Sequence, residues 1–302
     1  MLAGKLKFIR KQAQMSQEQL AERLNVSRQA VAKWETGAGV PDIQNFMALS
    51  ALFHVSIDEL LQNAPPINAS QDFLFDSVTE YDIDCPKSYD ITLAGANTVM
   101  MSSYPGEKVQ VRLASDTIPG VQRDFKVKID DVRQRIDIDI KRFGDMTETA
   151  AKNALHIFLR FPAQYVKTIE LSGNTETLEL IDLEAQSIQF SGKTSHIVTE
   201  NVSAHVELDC SQDMDIVCHG LSGRLDINQI SATSKVTLSV DTPFIAVTKG
   251  IANKIFYQKD GRQTDDFSLK GEAAADCGNI IELNGMKSEL IINARTDSEG
   301  QV

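Results

Sequence analysis

Apolar residues in the first 62 positions recur three or four residues apart, which is the spacing of amphipathic helices. Each apolar series is short, and none of them alternates with the period of two that marks a strand. The segment is therefore predicted to be all-helical, with five helices that carry the following series: Leu2, Leu6 and Ile9; Leu20 and Leu24; Val31 and Trp34; Ile43, Phe46, Leu49, Leu52 and Phe53; and a last short helix ending near Leu61.

Capping and turn residues separate these helices. Ser16 followed by Gln19 has the spacing of a capping box at the start of the second helix. Asn25 tolerates the left-handed backbone of a tight turn, and Ser27 is a favoured cap for the third helix. Later boundaries are marked by Gly37, Gly39, Pro41, Asp42 and Ser56. Two helices joined by so short a turn form a helix-turn-helix, whose second helix enters the DNA major groove.

The pattern changes after a linker predicted at residues 63–76, which contains Pro65-Pro66 and small polar residues. Apolar and polar residues then alternate, for example through residues 109–113, 125–129 and 136–140. Alternation with a period of two indicates strands that have one apolar face. Residues 77–302 are therefore predicted to form a second domain that is rich in strands.

From about residue 165 this second pattern repeats every 18 to 20 residues. Near-constant spacing of apolar columns is typical of a β-solenoid, in which successive turns of chain stack. Leu171-Ser172-Gly173 and Phe190-Ser191-Gly192 are predicted to be turns at equivalent places. Thr199 is the one polar member of the columns, which are Ile169, Ile188, Val206 and Leu225; Leu171, Phe190, Leu208 and Ile227; Leu178, Ile197, Ile216 and Val236; Leu180, Thr199, Cys218 and Leu238; and Leu183, Val202 and Leu221.

The net charge of −12 is unevenly distributed along the chain. Residues 1–62 hold seven Lys and Arg against six Asp and Glu, which leaves −13 for residues 63–302. DNA binding is therefore compatible with the composition only if cations gather on one face of the first domain. Lysine and arginine interrupt the apolar residues at the N-terminus, and no apolar run reaches the length of a membrane span. We expect a cytoplasmic protein with no membrane partner.

The chemistry of the chain suggests no enzyme, cofactor or metal site. The four cysteines are scattered and form no C-x-x-C pair, so that reduced thiols are expected. The one conceivable metal cluster, which has no known zinc-ligand spacing, comprises His196, His205, Cys210, Cys218 and His219. Cys218 falls in an apolar column, where a thiol packs as a small hydrophobe. We also find no phosphate loop, nucleophile elbow or catalytic carboxylate pair.

The first domain resembles the lambda-repressor/Cro-like (XRE) helix-turn-helix family. The resemblance lies in S-Q-E-Q-L-A-E-R-L-N-V-S-R-Q-A-V-A-K-W-E-T-G-A-G-V-P-D and the closing F-H-V-S-I-D-E-L-L, and it covers essentially residues 2–61. It implies a transcriptional regulator that binds double-stranded DNA. Gln14 and Asn25 stand where the family usually has Gly, and Ala38-Gly39 stands where a phosphate-binding Lys is common. Arg10 and Glu35 occupy places at which the family often has a structural ion pair.

Helical geometry predicts which side chains face DNA. On the third helix Val31 and Trp34 point to the core, which places three polar side chains on the opposite side. Arginine suits guanine, glutamine suits adenine, and lysine suits a base or a phosphate. The expected DNA-binding residues are Gln17 and Ser27 on phosphate, and Arg28, Gln29 and Lys33 in the groove. Arg10, Trp34 and Glu35 are expected to support the fold.

Residues 77–300 resemble the bacterial domain family labelled putative adhesin, a strand-rich domain that coils into a solenoid. The resemblance lies in V-R-Q-R-I-D-I-D-I-K-R-F, in L-H-I-F-L-R-F-P-A-Q-Y-V-K-T-I-E-L-S-G and in the repeats that follow. The family label implies a cell surface, which disagrees with the absence of an export signal.

The sequence therefore predicts a transcriptional regulator with a DNA-binding first domain and an acidic solenoid that senses an effector, oligomerises or binds a protein partner. A homodimer on an inverted repeat is expected, because one recognition helix contacts few base pairs. One alternative is an interaction scaffold in which the solenoid is the working part and DNA is a tether. A second alternative is an enzyme whose site forms only in three dimensions.

Overall fold

The structure is a computed structural model that describes residues 6, 10, 13, 15–36, 39–53, 73–263 and 278–295. The chain divides into two compact units: the first comprises Met1–Asp72 and Tyr104–Gly106, and the second comprises Phe73–Ser103 and Glu107–Val302. Of the first predicted helix only Leu6 and Arg10 are described, both helical, and the fifth predicted helix lies outside the described residues. The first strand begins at Phe75, two residues before the predicted boundary.

Three helices of the first unit are described in full: α1 (Gln17–Leu24), α2 (Arg28–Thr36) and α3 (Ile43–Phe53). Ser16 and Gln19 form the predicted capping box at the start of α1. Asp42 caps α3 at the predicted boundary of Pro41 and Asp42, since its carboxylate accepts a hydrogen bond from the Asn45 N–H at 2.8 Å. The helices share a core of Leu6, Leu20, Ala21, Leu24, Val31, Trp34, Phe46 and Leu49.

The turn between α1 and α2 has the predicted left-handed residue. Asn25 has φ 54° and ψ 42°, and its N–H donates to carbonyl groups of the last turn of α1. Ser27 then caps α2, since its Oγ accepts a hydrogen bond from the Ala30 N–H at 3.1 Å. This compact turn sets α2 against α1 in the helix-turn-helix arrangement.

The second unit is a strand-rich domain with two short helices, α4 (Val121–Asp124) and α5 (Glu148–Ala154). Its strands in the described part of the chain are β1 (Phe75–Asp82), β2 (Lys87–Thr92), β3 (Ala96–Tyr104), β4 (Lys108–Ser115), β5 (Phe125–Val132), β6 (Arg135–Arg142), β7 (His156–Pro162), β8 (Val166–Ile181), β9 (Glu184–Lys193), β10 (His196–Asp209), β11 (Asp215–Ile230), β12 (Thr233–Ser239), β13 (Ile245–Thr248), β14 (Lys254–Lys259), β15 (Arg262–Gln263), β16 (Ile280–Met286) and β17 (Glu289–Arg295).

These strands belong to one mixed sheet. Antiparallel pairs join β1 to β4, β4 to β7, β5 to β6, and β14 to β15. Strands β8 to β12 instead pair in parallel with strands of the neighbouring repeats. The antiparallel pairs depart from the uniform stacking that a solenoid implies, because short turns such as the one around Arg133 (φ 60°) allow the chain to fold straight back.

The sequence repeat corresponds to the register of the parallel pairs. Ile188 lies beside Ile169 on one side and Val206 on the other, and Ile216 lies between Ile197 and Val236. All of these side chains are buried in the core of the second unit. Each apolar column is therefore a row of neighbours that pack directly against one another.

The predicted turns at Gly173 and Gly192 are wrong, because both glycines lie inside strands, β8 and β9, and are partners in the parallel pair. Both glycines have positive φ values, 133° and 156°, and remain in the ladder of parallel pairs. Left-handed corners occur at Asp182, between β8 and β9, and at Asn201, a residue within β10 that is left out of the pairing with β11; both have φ 51°. The Asn201 amide donates to Asp182 Oδ1 at 3.0 Å, which joins successive corners.

Thr199 is buried within its apolar column, and its hydroxyl has no hydrogen-bond partner in the described part of the structure. It lies beside Cys218 in the parallel pair. Burial raises the pKa of the Cys218 thiol to about 11. The thiol is therefore protonated and packs as an apolar group.

In the described segments, no helix combines the length and apolar character needed to cross a membrane.

Replacing Gly285 by alanine should destabilise the second unit. Gly285 has φ +122° in β16, and an added Cβ would lie 1.9 Å from the carbonyl oxygen of Gln229 in the neighbouring strand. We expect Gly285→Ala to lower the free energy of unfolding by about 2–4 kcal/mol, through overpacking and backbone strain. Urea denaturation followed by far-ultraviolet circular dichroism measures this. Gly278→Ala is the control, because no atom lies within 4 Å of its added Cβ. Equal losses in both variants would contradict the explanation.

Candidate nucleic-acid interface

Helix α2 presents different side chains on its two faces. Val31 and Trp34 are buried at 0% and 6% exposure. Arg28, Gln29 and Lys33 are exposed on the other side. The three predicted groove-facing residues thus form one polar surface on a helix whose opposite face is fixed in the core.

The N-terminus of α2 offers hydrogen-bond donors to a phosphate. The Ser27 Oγ accepts the Ala30 N–H, so its own hydroxyl hydrogen can point outward, and Ser27 is exposed. The first N–H groups of a helix favour anions. The position of Ser27 is compatible with the predicted phosphate contact.

An ion pair between Arg10 and Glu35 joins the N-terminal residues to the end of α2. Arg10 Nε and Nη2 donate to the two carboxylate oxygens of Glu35 at 2.6 and 3.0 Å, and both side chains are buried. Arg10 Nη1 also donates to the Met15 carbonyl at 2.5 Å. The hydrogen bond with Glu35 raises the pKa of the arginine despite its burial. This bidentate pair orients α2 relative to the chain before α1.

Gln17 belongs to the same network. Its side-chain amide donates to Glu35 Oε2 at 2.8 Å, a contact that the sequence analysis did not predict. An amide nitrogen carries two hydrogens, so this bond leaves one for the expected phosphate contact. Glu35 therefore holds Gln17, near the start of α1, in a defined orientation. No spacing rule within one helix reveals such a contact, because the two residues lie on different helices.

The sequence analysis also missed an acidic neighbour of Arg28. Glu18 Oε2 lies 3.8 Å from Arg28 Nε, and both side chains are about two-thirds exposed at 64% and 66%. A pair so exposed contributes little to stability. It nevertheless places a carboxylate beside a residue that the sequence predicts to contact a base.

The parallel pairs of the second unit align six carboxylates and one amide in a single column. The column comprises residues that are neighbours in the parallel pairs: Asp137, Asp90, Glu170, Gln189, Glu207, Asp226 and Glu282. Arg224 bridges two of them, with 2.6 Å contacts to Asp226 and Glu282. The signal was present in the sequence, since the middle members each follow the apolar column that begins at Ile169. The column concentrates carboxylates in one row, and Arg135, Arg224 and Lys249 pair with some of them.

The conceivable metal cluster is not assembled among the described residues, where no group of three His, Cys, Asp or Glu could hold an ion. His205 Nε2 lies 2.9 Å from Asp226 Oδ2, and the Cys210 thiol donates to the Thr194 carbonyl at 3.8 Å. Cys218 is buried, whereas His196 and His219 are exposed. Each group thus has a local structural setting of its own.

The N-terminal residues match a known family. Residues 6–60 match the helix-turn-helix family, which confirms that the first unit is a helix-turn-helix domain of the XRE type. The transcriptional activator BcrR of Enterococcus faecalis is 43% identical over 67 residues, which are 22% of this chain and 33% of that protein. YqaE of Bacillus subtilis (strain 168), an uncharacterized HTH-type transcriptional regulator, is 32% identical over 72 residues, 24% of this chain and 62% of that protein. The chain thus spans less than two thirds of either relative.

The strand-rich part is similar to solved structures of adhesin type, as the sequence predicted. One is a putative cell adhesion protein from Clostridium sporogenes, with 12% identity, a TM-score of 0.36, and coverage of 74% of this chain and 100% of that one. Another is a putative adhesin from Bacteroides fragilis, with 10% identity, a TM-score of 0.25, and coverage of 73% and 97%. Likeness at this level carries no conclusion about what the second unit binds.

Removing Arg10 should destabilise the helix-turn-helix domain. Arg10→Ala leaves the Glu35 carboxylate buried without its cationic partner, and we expect a loss of about 3–5 kcal/mol in the free energy of unfolding. Trp34 is the only tryptophan and is buried, so its fluorescence reports the unfolding of this unit during urea titration. Arg28→Ala is the matched control and should cost less than about 1 kcal/mol, because its ion pair is exposed. Identical unfolding midpoints for the two variants would refute the assignment.

Proposed function

We propose that the chain is a sequence-specific DNA-binding transcriptional regulator whose first unit binds the operator. The observation that carries the proposal is the polar surface of α2, where Arg28, Gln29 and Lys33 are exposed opposite the buried Val31 and Trp34. The helix-turn-helix family match and the two transcriptional regulators among the relatives support it.

The proposed contacts divide between bases and phosphates. Arg28 and Gln29 have forked donor and acceptor groups that suit guanine and adenine edges in the major groove. Gln17 and Ser27 would contact phosphate and fix the register of α2, while Lys33 would bind a base or a phosphate. The network of Arg10 and Glu35 would keep these groups in place without contacting DNA.

For the second unit we propose a solenoid-like body with a regulatory role: sensing an effector, oligomerising or binding a protein partner. The parallel register of β8 to β12 supports the stacked part of this architecture. The acidic column disfavours close approach to DNA, so the body would act away from the phosphate backbone. The alternative is an interaction scaffold in which the second unit is the working part and the first unit only tethers it to DNA. This alternative shares the same features, but it requires no change in transcription.

Mapping the DNA bound by the full chain across a bacterial genome tests the proposal directly. We expect a limited set of sites that share an inverted repeat, with half-sites about one helical turn apart. Transcription of the adjacent genes should change when the protein is removed. Uniform occupancy without a shared sequence would contradict a sequence-specific regulator. Specific occupancy without any change in transcription would favour the scaffold.

Gln29→Ala should weaken binding to the operator more than binding to random DNA. Loss of one bidentate base contact is expected to cost about 1–3 kcal/mol on the operator, whereas random DNA offers no matched base to lose. Titration of both DNAs by fluorescence anisotropy measures the difference. Gln134→Ala, which changes an exposed glutamine of the second unit, is the control and should change neither affinity. Equal losses on both DNAs would show that Gln29 does not contact a base.

Deleting residues 77–302 distinguishes two effects of the second unit on operator binding: electrostatic repulsion of DNA and a contribution to dimer formation. If the body repels DNA, the fragment 1–76 should bind operator more tightly at low salt, and the difference should vanish as salt screens it. If the body instead supplies the dimer contact, the fragment should bind more weakly at every salt concentration. A salt series of operator affinities for both proteins, with circular dichroism to verify folding of the fragment, measures the sign.

A further inference from the structure

The last two strands of the second unit lie between strands that precede them in the chain. Strand β16 pairs with β11 on one side and with β13 on the other. Strand β17 likewise lies between β12 and β14. The chain therefore forms β11 and β12, then β13 and β14, and only afterwards the two strands that separate them. We name β16 and β17 the inserted pair, and their position between the flanking strands the slot.

The inserted pair carries fully buried apolar side chains. Leu283, Leu290 and Ile292 are 0% exposed, whereas Ile255 and Tyr257 of β14 are only partly buried. In the described part of the unit, β13 pairs with β16, and β14 pairs with β17 and with the two residues of β15. Entry of the inserted pair is therefore the step that joins β13 and β14 to the preceding sheet.

One cation from each side of the slot holds a carboxylate of the inserted pair. Glu282 Oε2 of β16 lies 2.6 Å from Arg224 Nη2 of β11 and 3.0 Å from the Nζ of Lys249, which directly follows β13. The Glu282 side chain is 5% exposed, so it depends on these partners for the solvation that water would otherwise supply. The slot thus presents two positive charges that match the negative charge of the inserted pair.

Close backbone packing makes the slot selective for shape as well as charge. An added Cβ at Gly285 would lie 1.9 Å from the Gln229 carbonyl oxygen, and one at Gly250 would lie 2.0 Å from the Gly285 carbonyl oxygen. The Ser288 hydroxyl donates to the Gln229 carbonyl at 3.1 Å. The Ser288 N–H donates to Asn253 Oδ1 on the other side at 3.0 Å. The turn of the inserted pair is thereby fixed to both flanks.

We propose that the slot also accepts the inserted pair of a second copy, with Glu282 as the charge that it recognises, so that two chains form a strand-exchanged dimer. The inference rests on the oligomerising role proposed for the second unit and deepens it by naming the partner and the contact. Every contact of the inserted pair would form between chains instead of within one, so exchange needs no new complementary surface. Sixteen residues, 264–279, separate β15 from β16, and fully extended they could span on the order of 50 Å.

The inserted pair of the same chain competes with that of a second copy. A tethered segment acts at an effective concentration in the millimolar range, so the closed monomer prevails in dilute solution. Refolding at high protein concentration removes this advantage, because the inserted pairs of neighbouring chains are then as close. Two copies held on adjacent half-sites of DNA would meet the same condition. We therefore expect monomers at high dilution and exchanged dimers after concentrated refolding.

Crosslinking between two distinguishable full chains detects the exchange. Cys85 and Cys277 are replaced by serine in both chains, and the two remaining cysteines are buried. One chain then carries Thr233→Cys in β12, and the other, lengthened by a tag, carries Glu289→Cys at the neighbouring position in β17. The chains are refolded together from urea at high concentration, diluted and treated with a short bis-maleimide. We expect a covalent heterodimer, with circular dichroism verifying that both chains are folded.

Neighbouring positions on strands that follow each other in the chain are the matched control. His196→Cys in β10 and Asp215→Cys in β11 change exposed residues that lie side by side. Exchange of the inserted pair brings no such positions of different copies together, so this combination should give several-fold less heterodimer. A yield for Thr233→Cys with Glu289→Cys that is no higher than this control would overturn the proposal.

A locked chain separates exchange from any other self-association. Thr233→Cys and Glu289→Cys in one chain, oxidised in dilute solution, join β17 to β12 of the same copy by a disulfide that mass spectrometry verifies. The locked chain should sediment as a monomer after concentration in mild urea, whereas the reduced chain should form dimers. Equal dimerisation of the locked and reduced chains would overturn the proposal.

Neutralising Glu282 tests the charge that the slot recognises. Glu282→Gln leaves Arg224 and Lys249 without this shared carboxylate, so the inserted pair should leave the slot more readily and heterodimers should form several-fold faster in the folded protein. Glu170→Gln, which changes an exposed carboxylate of the same column, is the control and should leave the rate unchanged. Equal rates in the two variants would overturn the role of Glu282.

These measurements need no DNA, so they are decided separately from operator binding. An exchanged dimer in a chain that lacks sequence-specific DNA binding would uphold the slot and refute the proposed function. Absence of the heterodimer in a chain that binds its operator specifically would overturn the slot alone.

Discussion

Parallel pairing between repeats is the constraint on which the large unit depends. In a parallel ladder each residue lies beside the equivalent residue one repeat away. Equivalent side chains must therefore be compatible as direct neighbours along the whole column. Ile169, Ile188 and Val206 satisfy this by packing against one another inside the sheet. The same rule places Glu170 and Glu207 in one outward column with Gln189 between them, where like charges are costly unless a cation such as Arg224 relieves them.

The small unit depends on a different interaction, the buried pair of Arg10 and Glu35. It connects three parts of the helix-turn-helix domain, because Glu35 also accepts a hydrogen bond from Gln17. Burial makes this network costly to break, and its geometry transmits the orientation of α2 to the start of α1. Residues that support the fold and residues proposed to contact phosphate are thus joined in one hydrogen-bonded unit.

The two units of the chain differ in the sign of the charged side chains that they expose. The exposed cations of α2 attract phosphate, whereas the outward column of the sheet repels it and repels its own copies. Under the proposed function, specificity would come from short-range contacts in the groove more than from overall charge. The Glu18 carboxylate near Arg28 acts in the same direction, since it discourages binding to phosphate alone.

The sequence alone determined the local features and the repeat. The capping box at Ser16, the left-handed Asn25 and the buried face of α2 follow from residues close in the chain. The spacing of about 19 residues between members of each apolar column predicted the parallel register. The tertiary structure decided contacts between distant segments, such as Gln17 with Glu35 and Asp90 with Glu170. It also showed that Gly173 lies within a continuous strand and that Ile43 stays exposed, because each depends on which segment packs nearby and no periodicity records that.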